Sequence, residues 1–199
     1  MLRRLKHVDS ILTTSGKISD ESTSSGFREY LQAHGQEARV IENRPESDEL
    51  VQKSTRDGWC VGYLGRVREV ESFQLLLEAV LLMEPKQRPR IRIAGDGVAF
   101  DSVSQLLNTA KINHDLQVEI TGSFDTEEFP KIIQEVDVMY AMYSPSRGNI
   151  LQGAIPVKMF DAAAHGVPSV VNSGCLMGEI AEHEEIGQSV EWMNSAQLS

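Results

Sequence analysis

Cysteine is nearly missing from this chain: there are two in 199 residues, Cys60 and Cys175, far apart and in no C-x-x-C pattern. Two cannot build a disulfide framework, and neither has histidine or carboxylate partners at zinc-ligand spacing. The expectation is therefore a reducing, cytoplasmic compartment and no metal site. Long apolar runs are missing too. The longest, Leu75 to Met83, is broken by Glu78 and is too short to span a bilayer. Met1-Leu-Arg-Arg-Leu-Lys6 begins basic, but no apolar run follows it, so it does not read as a signal peptide. Its positive charges either touch the cytoplasmic face of an anionic membrane or belong to a solvated helix turn. Positive charge is in deficit overall, 19 Lys+Arg against 29 Asp+Glu, for a net −10 at pH 7. That sign excludes nucleic acid as the expected partner. Finally, no Gly-x-Ser-x-Gly, Walker loop or His-Glu-x-x-His occurs, which leaves hydrolase, P-loop and zinc-protease chemistry without support.

What is present reads as a folded α/β domain. Hydrophobic residues make up 41% and charged residues 24%, ordinary for a globular protein. A chain of this length buries about 70% of its unfolded surface without disulfide or metal support. From Cys60 onward, short β-rich runs alternate with helix-period segments. Cys60-Val-Gly-Tyr-Leu64 reads as a strand, and Phe73, Leu76, Leu77, Val80 and Leu81 then mark one face of a helix. Arg90 to Ala94 is the next strand. Val103, Leu106, Leu107 and Ala110 give another helix, with Ser102 and Gln105 spaced for a capping box at its start. Val118 to Thr121 follows, then a helix through Phe129, Ile132, Ile133 and Val136 with Pro130 in its first turn. Asp137 to Tyr143 is apolar enough for a strand buried on both faces. After a loop from Ser144 to Ile155, Pro156 suits the first position of a helix that stops at Gly166. Pro168 to Asn172, Met177 to Glu185 and Gln188 to Trp192 complete a strand–helix–strand series. The expected fold is a doubly wound, Rossmann-like parallel sheet with helices on both faces. Residues 1–45 follow a different logic, with strands at Val8–Thr14 and Ala38–Glu42 around a polar helix. The polar span from Glu46 to Gly58 reads as a linker into a main domain, counted from residue 46 to 199.

In such a sheet, ligands bind beyond the carboxyl ends of the strands, and three loops there invite inspection. Gly62-Tyr-Leu-Gly65-Arg66-Val-Arg68 offers glycines for close backbone approach to a phosphate and arginines as charged donors. It reads equally as a turn with surface arginines, and the nearby Glu69 and Glu71 would repel a phosphate. Ala94-Gly-Asp-Gly97 lacks the third glycine of a dinucleotide fingerprint, since position 100 is Phe100, and reads as a structural turn. In the segment from Asn149 to Gly166, Lys158, Asp161 and His165 form a polar stripe on a helix otherwise made of Met159, Phe160 and alanines. An ammonium one turn in can pair with a diphosphate, and a carboxylate a turn later can accept from ribose hydroxyls. The competing reading is a surface Lys–Asp pair. His165 at the helix end reads as a dipole partner or a packed residue.

Taken in order, these pieces resemble the C-terminal, donor-binding half of the retaining glycosyltransferases of the B fold, the large family-four group. The pieces are Val61-Gly-Tyr-Leu-Gly-Arg66, Ile93-Ala-Gly-Asp-Gly97, Ile120-Thr-Gly-Ser123, Val136-Asp-Val138 and Pro156-Val-Lys-Met-Phe-Asp-Ala-Ala-Ala-His-Gly-Val-Pro168. The last, similar to a Pro-x-Lys-(Leu/Met)-Phe-Glu-Ala-Met-Ala-x-Gly-x-Pro pattern, is the most specific. Asp9 to Pro45 is similar to the segment that closes the family's N-terminal domain, so the resemblance covers nearly the whole chain. It implies a nucleoside-diphosphate sugar as donor substrate and no separate cofactor. It places Arg66, beside Gly65, on the diphosphate and Asp161 on the donor ribose. Lys158 and the loop from Asn149 to Gly153 would lie beside the diphosphate and sugar, and Thr121, Gly122, Ser123 and Phe124 would face the nucleobase. Two positions depart from the pattern. Glu71-Ser72 stands where the family has Lys-Gly, which makes Arg68 the candidate to replace that lysine. Gly153 stands where a second glutamate is common, although a branch with a Pro-x-Lys helix start and a loop asparagine also lacks that glutamate, and this chain most resembles that branch. No catalytic residue is assigned. The resemblance further implies an acceptor-binding domain beyond the segment 1–45, a separate subunit or self-association to complete the cleft, and a further helix beginning near Ser199. A non-catalytic nucleotide-binding or protein-interaction module is the rival reading, and a sugar-nucleotide epimerase of the same fold a distant alternative.

Overall fold

The computed structural model describes residues 8–45 and 57–199. The basic start at Met1 to Lys6 and most of the expected linker lie outside those residues. Two short strands, β1 (Leu12–Thr13) and β2 (Arg39–Val40), flank helix α1 (Phe27–Ala33) and pair parallel, Leu12 opposite Arg39 and Thr13 opposite Val40. They are far shorter than the apolar runs suggested. No third strand pairs with them among the described residues, and Leu12 and Ile41 stay exposed.

The rest is one six-stranded sheet. In chain order its elements are β3 (Cys60–Leu64), α2 (Glu71–Leu82), β4 (Arg90–Ala94), α3 (Phe100–His114), β5 (Val118–Thr121), α4 (Phe129–Ile133), β6 (Val138–Ala141), α5 (Val157–Ala164), β7 (Ser169–Asn172), α6 (Leu176–His183), β8 (Gly187–Val190) and α7 (Ser195–Leu198). The spatial order is β5-β4-β3-β6-β7-β8 with every neighbouring pair parallel. This is the doubly wound sheet expected from the sequence. The period-2 alternation of side chains decides which helices cover which face. Tyr63, Ile91, Ile93, Tyr140 and Met142 pack with Phe73, Leu76 and Val80 of α2 and Val103 and Leu107 of α3. Leu64, Ala94, Met139, Ala141 and Val171 point the other way, against α4, α5 and α6.

Three local expectations need correction. No capping box forms at Ser102 and Gln105, because α3 begins earlier, at Phe100, after an Ala99 with no side-chain cap. Its first amides are met by backbone instead: Ala99 N–H donates to the Val67 carbonyl at 3.2 Å and Phe100 N–H to Gly97 at 3.1 Å. Pro156 is the extended residue before α5 rather than its first helical position, where its missing N–H likewise leaves nothing unpaired. On α2 the buried stripe includes Leu75 and Ala79, while Leu77 and Leu81 are only partly covered. The stop of α5 is as read: Gly166 takes φ +70°, its N–H meets Ala163 and that of Val167 meets Ala162, a Schellman ending.

Segment 15–44 is fastened to the second half of the sheet. One Glu179 oxygen on α6 accepts from Thr23 N–H (3.1 Å), the Thr23 hydroxyl (2.7 Å) and Ser24 N–H (2.8 Å). Arg44 forks onto Glu184 at 2.7 and 2.6 Å and lies over the Phe160 ring at 4.3 Å. Between these, Gly153 (φ +91°) presses its backbone on Gly26: a Cβ added there would lie 2.4 Å from Gly26 Cα and 2.5 Å from the Ser25 carbonyl oxygen. Gly153→Glu is therefore expected to push segment 15–28 off rather than to add a carboxylate to a site. Limited proteolysis checks this, with cleavage inside 15–28 expected to accelerate about tenfold or more as that contact is lost.

Candidate functional site

Chain order reverses between β3 and β6: the chain runs outward from β3 to β5, then returns to the other side of β3. A doubly wound sheet opens its crevice at such a point. A cleft of about 780 Å³ lies there, between the end of β3, the loop after β6 and the start of α5.

Its floor is shaped by two loops that interlock through backbone. Gly65 N–H donates to Ala94 at 2.8 Å and Val67 N–H to Asp96 at 2.6 Å. A Cβ on Gly95 would fall 1.9 Å from the Gly65 carbonyl oxygen, and one on Gly97 2.1 Å from that of Val67. The Ala94–Gly97 turn is thus structural, and its product is the placement of Gly65, Arg66 and Arg68 at the cleft. Gly65 itself, at φ +123°, lies against Lys158, whose Nζ and Cε would be 3.6 Å from a Cβ there.

Lys158, the second residue of α5, is the most unusual group of the cleft. Its amine is enclosed and has no hydrogen-bond partner among the described residues. It sits 3.3 Å from the centre of the Tyr63 ring and 5.8 Å from that of Tyr143. Burial, reinforced by Arg147 and Arg68, holds its ionisation well below the ordinary lysine range, with Asp161 pulling the other way. Asp161, one turn on, is half-buried, and burial raises its carboxyl above the usual value against the pull of His165 and Lys158. The His165 ring bonds the Asp161 carbonyl through Nδ1 at 2.8 Å and stands edge-on to Phe129 at 5.3 Å. That is the packed role read from the sequence.

Sequence reasoning missed Arg147 and the function of Glu69. Arg147 ends a single 3-10 turn, Pro145–Arg147, beyond β6, and its guanidinium reaches over Tyr143 at 5.0 Å. Glu69 does not face the cleft as a repelling charge. It accepts from Ser144 N–H at 2.6 Å and lies 3.8 Å from Arg147 Nε, tying the two loops together, and burial raises its carboxyl. The available signal was position alone, a basic residue just past the carboxyl end of a central strand.

Of the residues singled out from sequence, Gly65, Arg66, Arg68, Phe124, Asn149, Lys158 and Asp161 line this cleft. Arg66 sits at its rim, largely exposed and paired with Asp96. Thr121, Gly122 and Ser123 are not in the lining. Thr121 ends β5, and the Gly122 carbonyl accepts from Gly95 N–H at 2.9 Å, so this loop braces the turn beneath the floor. Gly153 is also outside the lining, turned to Gly26. Among the described residues no cluster of three metal-ligating side chains occurs, and no helix is long and apolar enough to cross a membrane.

Fold and cleft together define a Rossmann-like domain with a crevice at its switch point lined by Arg66, Arg68, Arg147 and Lys158. Residues 59–198 match the family of glycosyl transferases group 1, and the chain belongs to that family. No curated protein sequence matches it. Among solved structures, it is similar to the lipopolysaccharide outer core galactosyltransferase WaaB in its apo form, at 17% identity and TM-score 0.63, over 98% of this chain and 53% of that one. S. aureus TarM, in complex with fondaparinux, alpha-GlcNAc-glycerol and UDP, matches at 15% identity and TM-score 0.71, over 98% and 36%. Anabaena HepE in complex with UDP matches at 17% and TM-score 0.65, over 85% and 48%. The chain thus spans about half the length of WaaB and HepE and about a third of TarM.

Proposed function

We propose that this chain is the donor-binding half of a nucleotide-sugar-dependent glycosyltransferase, acting in assembly of a polysaccharide, glycolipid or glycoprotein glycan. The observation that carries this reading is an enclosed, unpartnered Lys158 amine at the start of α5, flanked by Arg68 and Arg147 at the switch point of the sheet. A diphosphate fits that set, because a desolvated cation and a helix start both favour compact negative charge. Complexes of two similar structures support it: TarM and HepE were solved with UDP. In this reading Lys158, Arg68 and Arg147 take the diphosphate, with Arg66 at the rim. Asp161 accepts from the donor ribose, Asn149 borders the sugar, and Phe124 with Phe129 walls the nucleobase. Positive groups preorganised around a leaving diphosphate assist bond cleavage electrostatically, so the donor half needs no resident cofactor. Residues 1–45 belong with the acceptor side, residues 46–199 with the donor side. Transfer then requires an acceptor-binding partner, either a separate subunit or a second copy.

Calorimetric titration with UDP, GDP, their sugar conjugates and CMP-sugars tests the reading. One nucleoside diphosphate is expected to bind saturably, and Asp161→Ala to weaken it about tenfold, the scale of one hydrogen bond to a charged group. Absence of binding by all of them overturns the reading in favour of a non-catalytic module, which the blocked Gly153 position would then explain.

A further inference from the structure

The Lys158 amine has an unusual holder. No oxygen hydrogen-bonds its Nζ among the described residues, and the face of Tyr63 lies 3.3 Å from it. That ring is fixed at both ends: Phe73 meets it edge-on at 4.7 Å and 61°, and its hydroxyl donates to the Arg66 carbonyl at 2.6 Å. Tyr63 lies in β3 and is 3% exposed, so the ring cannot turn without disturbing the core. A carboxylate or carbonyl holding the amine would consume one or more of its N–H donors. An aromatic face attracts the cation through its quadrupole and consumes none.

We propose that Tyr63 is a positioning residue, whose ring face holds the Lys158 ammonium in place while leaving its three N–H donors free for the oxygens of a donor diphosphate. This rests on the reading that the cleft takes a nucleoside diphosphate. The same tyrosine joins the two cationic elements, since its hydroxyl fixes the backbone of Arg66 while its face fixes Lys158. Other charged or titratable groups face the amine from each element around it. They are Asp161 on α5, Arg68 after β3, and Tyr143 and Arg147 after β6, with Arg66 and His165 elsewhere in the cleft lining. Glu69 is engaged by Ser144 and Arg147, and Asp161, the carboxylate that acts on the amine, makes no hydrogen bond to it, while the ring of Tyr63 stands 3.3 Å away.

Two measurements test this on the whole chain. With lysine labelled at the ε-carbon, NMR titration reads the ionisation of the ligand-free Lys158, and calorimetry reads UDP affinity. Tyr63→Phe keeps the ring face and is expected to leave the Lys158 midpoint in place and UDP affinity within about threefold. Tyr63→Leu removes the face and is expected to lower the midpoint and weaken UDP about tenfold. Where Tyr63→Leu fails to fold, phenylalanines of increasing fluorination at position 63 keep the shape while draining the ring face, and both readouts should fall in step with fluorination. A midpoint unmoved by leucine or by fluorination overturns the proposal. A midpoint that moves while the wild-type chain binds no nucleoside diphosphate overturns the reading of the cleft instead, and with it the diphosphate role given to Tyr63.

Discussion

Lys158→Met is expected to cost about a hundredfold in UDP affinity and, in the ligand-free protein, to raise stability. The two effects have one cause. Burying an amine with no hydrogen-bond partner costs about 1–3 kcal/mol, whereas methionine has a similar unbranched length and no polar atom to strand. A gain of about 1–2 kcal/mol would raise Tm by about 2–8 °C in a chain of this size. The loss in affinity follows because the same amine, desolvated, is the strongest point charge offered to a diphosphate. The sign with pH is fixed by linkage. The folded Lys158 ionises below its ordinary value, so between the two values the unfolded chain holds the proton and the folded chain does not. Its penalty is full below the folded midpoint and fades as pH rises toward the unfolded one. The stability advantage of Lys158→Met should therefore shrink as pH rises from the folded midpoint toward the ordinary lysine value, which parallel thermal melts will read. A Tm that falls, with affinity intact, would make the Lys158 amine a structural contact and remove it from the binding site.

Gly95→Ala is expected to cost about 3 kcal/mol or more and to abolish nucleotide binding together with stability. The added Cβ would lie 1.9 Å from the Gly65 carbonyl oxygen, at a φ of +148° that side chains avoid. Relief requires the loop after β3 to back away, and that loop carries Gly65, Arg66 and Arg68. Gly122→Ala is the internal control: it lies on the adjacent loop with nothing within 4 Å of a Cβ, so it should change stability by no more than about 0.5 kcal/mol. Urea unfolding midpoints separate the two, and similar values for both variants would contradict the interlocked-loop picture.

The sheet was legible in the sequence because its strands are short apolar runs between helix-period segments, and both signals come from neighbours within a dozen residues. The Pro156–Pro168 block was legible for the same reason: Lys158 and Asp161 share one helix and His165 caps its end. What escaped is what distant segments do to one another. Nothing near Gly153 announces that Gly26 must lie against it, and nothing near Glu69 announces that Ser144 and Arg147 claim its carboxylate. The capping box failed similarly, since backbone carbonyls of Val67 and Gly97 met the first amides of α3 without a side chain. Tyr63 read as a strand residue, and only the fold brings its ring under Lys158.

The enclosure of the Lys158 amine also fixes how the cleft should answer to salt. Mobile ions screen charges that face water, over a Debye length of about 8 Å at physiological ionic strength, but they screen a buried charge such as the Lys158 amine much less. Arg66, 65% exposed in its side chain and already shared with Asp96, is the charge that electrolyte would mute. Lys158 would keep its pull, so a ligand drawn across solution by the rim would be retained by the interior even where the surrounding medium is concentrated.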